Sequence, residues 1–496
     1  NEAMDKTGGN ASFVVSAGDQ IQTTKKKSPG KSEMTSEIEY TGYLSPDVLK
    51  SLPVATTVGN HDADNANYTY HFNTPNSSDL GSNGVVGGDY YFTYGNTLFM
   101  MLNTQDTNAA EHKQFMEQAI AANPNCTWRV VTLHQDIYGS AEHSNEPEIT
   151  NLRYTLVPYF EANDVDVVLT GHDHAYSRTH ILEGGHKTVE YTDDEFDAEL
   201  DKDMDAGENP ATRYEAPANI SADSKEPADV AYLNYLNAVM DKDAVEDTEK
   251  GETVVNPDGI LYMTANSSSG SKYYDLVPRM QSYIANRWQE DVPTYSVIDV
   301  TDNTFTINTY RTDNDQKIDE TFTIKKGVTE DIKSASVGNV KNQIYTGKQI
   351  QPAIKVTLNG KTLKAGKDYT VTYTDNKNTG LAKATINGIG KYTGTQTVTF
   401  KIVPKKAVLK TVKAGKSGTA TVTIGKAGGK VSGYAIQVST DSSFKKVTTY
   451  RTAKTTYTLK NLSKGKTYYV RVKAFTKVSD KNVYGAASKT IKVKAK

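Results

Sequence analysis

Residues 165–174 read VDVVLTGHDH, an apolar run that ends in a glycine and then carries two histidines one residue apart. A short Val-rich run of this kind is typical of a strand buried on both faces. The polar residues begin where the strand should end, and open α/β sheets place their sites just beyond the carboxyl ends of their strands. The stretch therefore predicts a central strand of a layered sheet, with His172 and His174 at its functional edge.

Three other apolar runs have the same form, a short strand followed directly by polar residues. Helical patterns at 109–122 and 151–163 lie between them. Strands that alternate with helices predict an α/β layered core whose polar residues share one sheet edge. The runs are FVVSA at 13–17 before Gly18 and Asp19, VATTV at 54–58 before Gly59, Asn60, His61 and Asp62, and WRVVTL at 128–133 before His134.

The chain has 496 residues, too many for one ordinary core, so we expect two to four domains. Charge is unevenly divided: from Val328 to Lys496 there are 33 Lys and Arg against 6 Asp and Glu, whereas the preceding residues carry 23 against 53. Such a split indicates units that fold separately. The basic part should attract polyanions, such as those of a cell wall, although lysines on exposed strand edges also serve solubility alone.

The single cysteine, Cys126, excludes an internal disulfide and a zinc–thiolate cluster. No apolar stretch approaches the roughly 20 residues needed to span a bilayer. A chain poor in cysteine and rich in Tyr, Thr and Asn favours a secreted bacterial protein, so we expect secretion or display on the cell surface. Because Asn1 begins what reads as the tail of a helix, we expect the signal peptide to lie upstream.

Residues 1–327 contain the α/β pattern, interrupted at about 187–252 by an acidic insertion. The insertion is crowded with Asp and Glu and contains one predicted helix, near Val230 to Met240. We expect the rest of it to be surface structure or disordered.

Beyond residue 327 the sequence is β-like throughout. Residues 335–403, with YTGK at 345–348 and GKYTG at 390–394, resemble the small Ig-like modules of bacterial surface proteins. Residues 405–496, with TYYVRV at 467–472, resemble a fibronectin type III domain. Both likenesses imply all-β sandwiches, which serve as spacers, adhesion units or carbohydrate binders, and a spacer is the simplest interpretation.

The polar residues after the four strands supply the ligand types of a dinuclear metal site. A carboxylate such as Asp19 can bridge two cations, while imidazole nitrogens and the amide oxygen of Asn60 suit zinc, iron or manganese. A glycine directly before a ligand lets the backbone turn sharply over the sheet edge. A lone histidine is more often a buried structural residue, but four such motifs in order indicate a metal site.

This series, Gly-Asp at Gly18, Gly-Asn-His-Asp at Gly59, the histidine at His134 and Gly-His-Asp-His at Gly171, resembles the calcineurin-like metallophosphoesterase superfamily. It is most similar to the purple-acid-phosphatase-like branch, over residues 1–327 without the insertion. The resemblance implies a four-layer α/β/β/α sandwich, here followed by two all-β sandwich modules. It also implies a metal-dependent hydrolase of phosphomonoesters or phosphodiesters.

Carried over position by position, the resemblance implies two metal ions, which could be iron, zinc or manganese. Asp19 would bridge them, and His174 would bind one of them. The other metal would be completed by Asn60, His134 and His172.

The resemblance also implies catalytic roles for three residues. His61 matches the histidine beside the transferred phosphoryl group, and Asp62 is expected to orient its ring. His143 lies nine residues after His134 and resembles the histidine that protonates the leaving group. An exposed loop histidine is the other interpretation of His143.

The expected mechanism follows from such a site. Two cations about 3.5–4 Å apart lower the pKa of a bound water, and the resulting hydroxide attacks phosphorus in line. His61 helps to offset the charge that develops on the phosphoryl oxygens. His143 or His61 protonates the leaving alkoxide, a contribution of about 10²–10⁴-fold.

Two positions depart from the family pattern. The family's first motif is an Asp on an opening strand, and Asp5 lies only 14 residues before Asp19, too close for a strand, a turn and a helix. We therefore expect the opening strand and one metal ligand upstream of residue 1, and impaired activity in the chain as it stands. Gln22 occupies the position of the tyrosine of purple acid phosphatases, which argues against an iron–tyrosinate colour and a strict ferric preference.

Several other residues flank the histidine motifs. Tyr138, Tyr176 and Arg178 are expected at the rim of the pocket. The segment SSSGSKYY at 267–274 resembles a segment that recurs in bacterial members of the branch. For that segment we favour structural packing over substrate contact.

A second function class remains open, a surface adhesion or binding protein whose phosphatase-like domain is degenerate. The intact four motifs argue against it. The substrate is a small phosphate ester, with nucleotides, phosphosugars, phytate-like compounds and diesters all open. A nucleic-acid role is not expected, because the basic modules lack an aromatic stacking pattern.

Overall fold

The computed structural model describes residues 2–24, 32–144, 146–184, 194, 198, 221, 223–240, 244–247, 253–277 and 280–496. The chain divides into two units, Asn1–Lys326 and Gly327–Lys496. Most of the acidic insertion predicted at about 187–252 lies outside the described residues. Its predicted helix is present and covers Pro227–Met240.

The first unit combines helices with two main sheets. Its described α-helices are α1 (Glu2–Lys6), α2 (Ser32–Tyr43), α3 (Tyr68–His71), α4 (Ala109–Ala122), α5 (Pro147–Ala162) and α6 (Pro227–Met240), with a 3-10 helix at Asp47–Lys50. Its described strands are β1 (Val14–Ser16), β2 (Val54–Thr56), β3 (Tyr90–Tyr94), β4 (Thr97–Met101), β5 (Trp128–Thr132), β6 (Val167–Thr170), β7 (Tyr176–Thr179), β8 (Ile181–Leu182), β9 (Val245–Asp247), β10 (Thr253–Val255), β11 (Leu261–Thr264), β12 (Ile284–Trp288), β13 (Thr294–Val300), β14 (Thr304–Arg311) and β15 (Phe322–Lys325).

The larger sheet has seven strands in the order β12-β7-β11-β6-β5-β4-β3. Its central strands β4, β5, β6 and β11 are parallel, and the remaining pairs are antiparallel. The carboxyl ends of the central strands therefore meet at one edge. The predicted strand at 165–170 is β6, and it occupies the middle of this sheet.

Both faces of the large sheet are buried, which explains why its strands read as continuous apolar runs. Because side chains alternate along a strand, Met100 and Val168 face the core cluster that contains residues of α4 and α5, whereas Phe99 and Val167 face a second cluster. That second cluster also contains Phe305 and other residues of the smaller sheet. The larger sheet thus lies between a helical layer and another sheet.

The smaller sheet has the order β10-β15-β14-β13, and β1 pairs with β2 in parallel. α1 lies against β13, and Lys6 of that helix pairs with Asp315 at 2.5 Å. A separate apolar cluster joins α2 and α3 through Tyr40, Tyr68 and Phe72. Helix, sheet, sheet and helix follow one another, so the predicted α/β layered fold is confirmed.

The second unit is entirely β apart from a 3-10 helix at Ile332–Ser334. Its strands are β16 (Glu330–Asp331), β17 (Ser336–Val337), β18 (Gln343–Ile344), β19 (Val356–Leu358), β20 (Lys361–Thr362), β21 (Tyr369–Thr374), β22 (Gly380–Gly388), β23 (Tyr392–Thr393), β24 (Thr395–Val403), β25 (Val408–Ala414), β26 (Ala420–Gly425), β27 (Gly433–Ser439), β28 (Thr448–Thr452), β29 (Thr456–Leu459), β30 (Thr467–Val478), β31 (Lys481–Tyr484) and β32 (Ile491–Lys494).

Two apolar cores divide this unit. One contains buried residues between Ile332 and Ile402, and the other contains buried residues between Ala407 and Ala495. The second core is enclosed by the sheets β25-β26-β29 and β28-β27-β30-β31, with β32 paired to β30. Two antiparallel sheets over one core form the sandwich that the sequence predicts for 405–496. None of the described helices in either unit is long and apolar enough to cross a membrane.

Candidate metal centre

Five loops follow strands whose carboxyl ends lie at the functional edge, and four of these loops carry the predicted ligands. The short apolar strands stop where polar residues begin, so each ligand lies within a few residues of its strand. The loops follow β1 with Asp19, β2 with Asn60 and His61, β5 with His134, β6 with His172 and His174, and β11 with residues 265–274.

Ligand atoms from these loops converge on one point. Asp19, His134 and His172 each present one ligand atom within 4.8 Å of the others. His134 Nε2 lies 3.3 Å from Asp19 Oδ2, 3.0 Å from Asn60 Oδ1 and 3.1 Å from His172 Nδ1. Carboxylate, amide and imidazole atoms so placed suit zinc, iron or manganese. His174, also a predicted ligand, is not a member of this cluster.

Backbone carbonyls fix which ring nitrogen two of the histidines present. His134 Nδ1 lies 2.7 Å from the carbonyl oxygen of Ala17, and His174 Nδ1 lies 2.9 Å from that of Lys272. A ring nitrogen that donates to a carbonyl leaves the other nitrogen, Nε2, available to a cation. His134 Nε2 is then an acceptor atom in contact with two others, Asn60 Oδ1 and Asp19 Oδ2. A metal ion fits this arrangement because it satisfies all three.

The backbone at three of the predicted ligands is left-handed. The φ angles are 53° at Asp19, 71° at His172 and 45° at His174. Non-glycine residues adopt this region at a cost of about 1–3 kcal/mol, and such strain persists where the surrounding structure enforces it. The fold therefore holds these side chains in orientations that an unconstrained chain would avoid.

The glycines before the ligands are needed mainly for space. Among Gly18, Gly59 and Gly171, only Gly18 has a positive φ, of 98°. A Cβ on Gly59 would lie 2.1 Å from Asp19 Oδ1, and one on Gly171 would lie 2.9 Å from the carbonyl oxygen of Ala17. Gly59 and Gly171 let two loops approach each other closely, because a side chain at either position would collide with the facing loop.

The electrostatics of the cluster favour the metal-binding forms of Asp19 and His172. Burial raises the pKa of Asp19, but the neighbouring rings of His134 and His61 outweigh it and bring this pKa below its usual range. Burial lowers the pKa of His134, yet Asp19 reverses this and the net pKa is raised. Burial and the charge of His134 lower the pKa of His172 to about 3. An ionised Asp19 and a neutral His172 are both competent ligands.

His61 and Asp62 are adjacent in sequence but act in different places. His61 Nδ1 lies 2.7 Å from the carbonyl oxygen of Gln22, and its Nε2 lies 3.9 Å from Asp19 Oδ2. The predicted orientation of this ring by Asp62 is therefore wrong, because the backbone of Gln22 orients it.

Asp62 is buried beneath the centre. Its carboxylate accepts hydrogen bonds from the Tyr40 hydroxyl at 3.0 Å and from the Gly59 amide at 3.0 Å. Burial, with a smaller effect of Asp19, raises the pKa of Asp62 to about 7. Asp62 thus fixes the backbone of the loop that carries Asn60 and His61.

His143 lies close to the cluster rather than on an exposed loop. Its ring centroid is 5.6 Å from that of His172, and its Nδ1 lies 2.6 Å from Glu146 Oε1. The hydrogen bond to Glu146 raises the pKa of His143 against the opposing effect of burial. The acid form of His143 is therefore favoured, which is the form that can donate a proton.

The loop that carries His143 is held by Asp173, the residue between the two histidines of the Gly-His-Asp-His motif. Asp173 accepts hydrogen bonds from the backbone amides of His143 at 3.0 Å and Ser144 at 3.1 Å. Ser144 Oγ contacts Asp173 Oδ2 at 2.6 Å and Asp136 Oδ2 at 2.5 Å. One hydroxyl hydrogen serves only one of these contacts, so one carboxyl must be protonated. Burial raises the pKa of both carboxyls, and the charge of Asp173 raises that of Asp136 further, so Asp136 is the more readily protonated of the two.

The residues expected at the pocket rim are in the core instead. Tyr138 is buried among apolar residues of the helical layer, and Tyr176 is buried between the sheets. The Tyr176 hydroxyl and the Arg178 guanidinium both donate to Asp319, at 2.7 and 2.6 Å. That prediction was wrong because Tyr176 and Arg178 belong to β7, an inner strand of the larger sheet, and Tyr138 packs in the helical layer.

Sequence reasoning also missed Glu146, Asp173 and the contact of the Lys272 carbonyl with His174. Glu146 lies three residues after His143, and its spacing could have suggested the contact. The backbone contacts of Asp173 and Lys272 join segments far apart in sequence. No local signal in the sequence predicts them.

Comparison with known proteins agrees with this geometry. Residues 2–176 match the family model described as calcineurin-like phosphoesterase, and residues 409–490 match that of the fibronectin type III domain. The protein thus contains a calcineurin-like phosphoesterase domain, a class of metal-dependent phosphoesterase, followed by a β-rich region with a fibronectin type III domain.

Individual relatives are more distant. Two uncharacterized proteins of Mycobacterium tuberculosis, from two strains, are each 26% identical over 156 residues, which is 27% of this chain and 29% of theirs. The chain therefore matches less than a third of the length of these relatives. A purple acid phosphatase from yellow lupin (Lupinus luteus) seeds is 13% identical with a TM-score of 0.37, covering 66% of this chain and 48% of that one.

Proposed function

We propose that this protein is a secreted phosphoric ester hydrolase of the purple-acid-phosphatase-like kind, acting on phosphomonoesters or phosphodiesters. The observation that carries the proposal is the convergence of Asp19, Asn60, His134 and His172 on one point, from four separate loops. A fibronectin type III domain in the same chain supports a site of action outside the cell.

The ligands divide naturally between two metal ions. Asn60, His134 and His172 would complete one ion, His174 would bind the other, and Asp19 would bridge the pair. When bound, the ions supply Lewis acidity towards the phosphoryl oxygens and the attacking water.

His61 and His143 supply the proton chemistry around the substrate. The ring of His61 is turned by Gln22 so that Nε2 faces Asp19, where it would meet a phosphoryl oxygen of the substrate. His143 is held by Glu146 on the other side of His172, and its favoured acid form delivers a proton to the leaving oxygen. A general acid positioned in this way typically raises the rate of reaction about 10²–10⁴-fold.

The decisive experiment loads the full-length protein, with any residues that precede residue 1, separately with zinc, manganese and iron and measures bound metal by mass spectrometry. The same samples are assayed with p-nitrophenyl phosphate and its bis ester. His172→Ala should lose metal and lower kcat/KM at least about 100-fold. Even residues that only orient a ligand change metal affinity or activity by about 10–100-fold, and His172 is itself a proposed ligand. His180→Ala is the matched control, because His180 lies at the far end of β7. This variant should retain the bound metal and the wild-type kcat/KM.

About two metals per chain, with hydrolysis that depends on His172, would establish the enzyme, and the preferred ester would set its class. Absence of metal binding, or absence of hydrolysis with every metal and ester, would refute the proposal and favour a binding protein with a degenerate domain.

A further inference from the structure

The loop after β11 lies beside the metal centre. β11 pairs in parallel with β6, and the amide of Ala265 donates to the carbonyl of Thr170 at 2.9 Å. The chain therefore leaves the sheet next to the loop that carries His172 and His174. The carbonyl of Lys272 then meets His174 Nδ1 at 2.9 Å, which fastens residues 265–274 directly to a predicted ligand.

Tyr274 of this loop lies against both outer histidines of the site. Its ring centroid is 4.6 Å from that of His143, edge-to-face at 85°, and 5.1 Å from that of His174. Tyr274 is only partly buried, so one part of it remains accessible to solvent. Since His143 is the proposed donor to the leaving group, Tyr274 borders the side of the site from which the leaving group departs.

Lys272 places a positive charge at the outer end of this tyrosine. Its ammonium lies 4.3 Å from the ring centroid of Tyr274 and donates to the Tyr274 hydroxyl. Lys272 is exposed, and among the residues that the structure describes no carboxylate pairs with it. A lysine without a carboxylate partner, ordered by a tyrosine hydroxyl, can still bind an anion.

Resting on the function proposed above, we propose that Lys272 and Tyr274 form a subsite for a second anionic group on the leaving-group side of the substrate. The preferred substrates are then phosphate esters whose leaving group carries a carboxylate or another phosphate. The transferred phosphoryl group would lie between the metal-binding side chains. The Lys272 ammonium is separated from His143 and His174 by the ring of Tyr274. The Tyr274 hydroxyl accepts from Lys272, and its own hydrogen is free to donate to the same anion.

The size of the effect follows from the exposure of the pair. Hydrogen bonds to charged groups are among the stronger ones, but exposure to solvent weakens this one. About 1.4 kcal/mol corresponds to a tenfold preference. We therefore expect about tenfold discrimination between an ester with a second anion and a neutral ester of the same shape.

The test compares 4-carboxyphenyl phosphate with 4-carbamoylphenyl phosphate, which differ in charge and hardly in size. Benzene-1,4-diyl bisphosphate, with a phosphate in the same position, distinguishes the two kinds of anion. In the metal-loaded chain the ratio of kcat/KM, anionic to neutral, should be about ten. Lys272→Met should bring the ratio close to one, Tyr274→Phe should reduce it, and Lys272→Arg should retain most of it.

Lys50→Met is the matched control, because Lys50 is exposed and pairs with Asp47 away from the centre. It should leave the ratio at the wild-type value. A wild-type ratio near one, or an unchanged ratio in Lys272→Met, would overturn the subsite and leave the proposed hydrolase intact.

A binding measurement separates failure of the subsite from failure of the proposed function. Calorimetry with 4-carboxybenzylphosphonate and 4-carbamoylbenzylphosphonate requires no turnover. A tenfold difference in Kd that is lost in Lys272→Met supports the subsite even if neither ester is hydrolysed. Equal Kd values, or no binding of either compound, overturn it.

Discussion

At the scale of single residues, Gly59 shows that the loops of the candidate metal centre are too closely packed for a side chain at this position. The hydrogen atoms of this glycine face the loop that carries Asp19, and a Cβ would lie 2.1 Å from Asp19 Oδ1 and 2.3 Å from its amide nitrogen. Contacts so short force one of the two loops to move. The ligand geometry of Asp19 therefore depends on a residue that binds nothing itself.

We expect Gly59→Ala to lower metal affinity at least about tenfold, the lower limit for residues that orient ligands. Metal titration followed by mass spectrometry measures the change. Gly42→Ala is the matched control, because Gly42 lies in α2 with open space around it. That substitution should keep the affinity and stabilise α2 by up to about 1 kcal/mol. Unchanged metal affinity in Gly59→Ala would show that the loops adapt.

At the scale of elements, a buried ion pair fastens α4 to the chain before β3. His112 of α4 contacts Asp89 through Nδ1 at 2.7 Å and the carbonyl of Asp106 through Nε2 at 2.8 Å, and both side chains of the pair are fully buried. Burial lowers the pKa of His112, but Asp89 outweighs it and the net pKa is raised. Burial raises the pKa of Asp89 as well. The folded pair therefore binds more protons than the unfolded chain.

Stability should consequently fall as pH rises. A group with a raised folded pKa stabilises fully below its unfolded pKa, about 6.5 for histidine, and loses this contribution as pH passes through the folded value. One proton corresponds to a slope of up to about 1.4 kcal/mol per pH unit. Calorimetric melting of the metal-free chain between pH 6 and 9 should show this slope for the first unit.

His112→Gln should reduce the slope, leaving the part that Asp62, His134 and His143 contribute through their own raised pKa values. It should also lower stability by about 3–5 kcal/mol, the cost of breaking a buried pair. Phe115→Leu, a buried substitution in the same helix, should lower stability equally at all pH values and keep the slope. Retention of the full slope in His112→Gln would assign the pH dependence to other groups.

At the scale of the whole molecule, charge is separated between the two units. The lysines of the second unit alternate with buried residues, so the β pattern turns them outward: on β32, Val493 is buried between the exposed Lys492 and Lys494, and on β22 Ala382 is buried beside the exposed Lys383. A surface of this kind has a positive potential that attracts polyanions.

We propose that this basic unit binds anionic polymers of a cell wall. The full chain should bind immobilised polyphosphate at 50 mM salt and be released by 500 mM salt, because screening shortens the range of surface charges. Replacing Lys492 and Lys494 together by glutamine should weaken retention, whereas Thr456→Gln on β29 should not. Retention that ignores salt, or that survives the lysine changes in full, would contradict an electrostatic surface.

The sequence by itself determined the layered α/β core and the β region after it. Short apolar runs placed β5 and β6, since burial on both faces favours nearly continuous apolar side chains. Polar residues at the strand ends placed Asp19, His134 and His172 at one edge, because the carboxyl ends of parallel strands coincide. Both predictions follow from the local pattern of apolar and polar residues, combined with the general geometry of parallel sheets.

Only the tertiary structure decided what surrounds those ligands. Gln22 rather than Asp62 orients His61, Tyr176 and Arg178 turn into the core, and Lys272 reaches His174. Each of these contacts depends on which way a loop bends after leaving its strand. Side-chain direction in a loop is set by packing against distant segments, so the neighbours of a ligand cannot be read from the residues next to it in the chain.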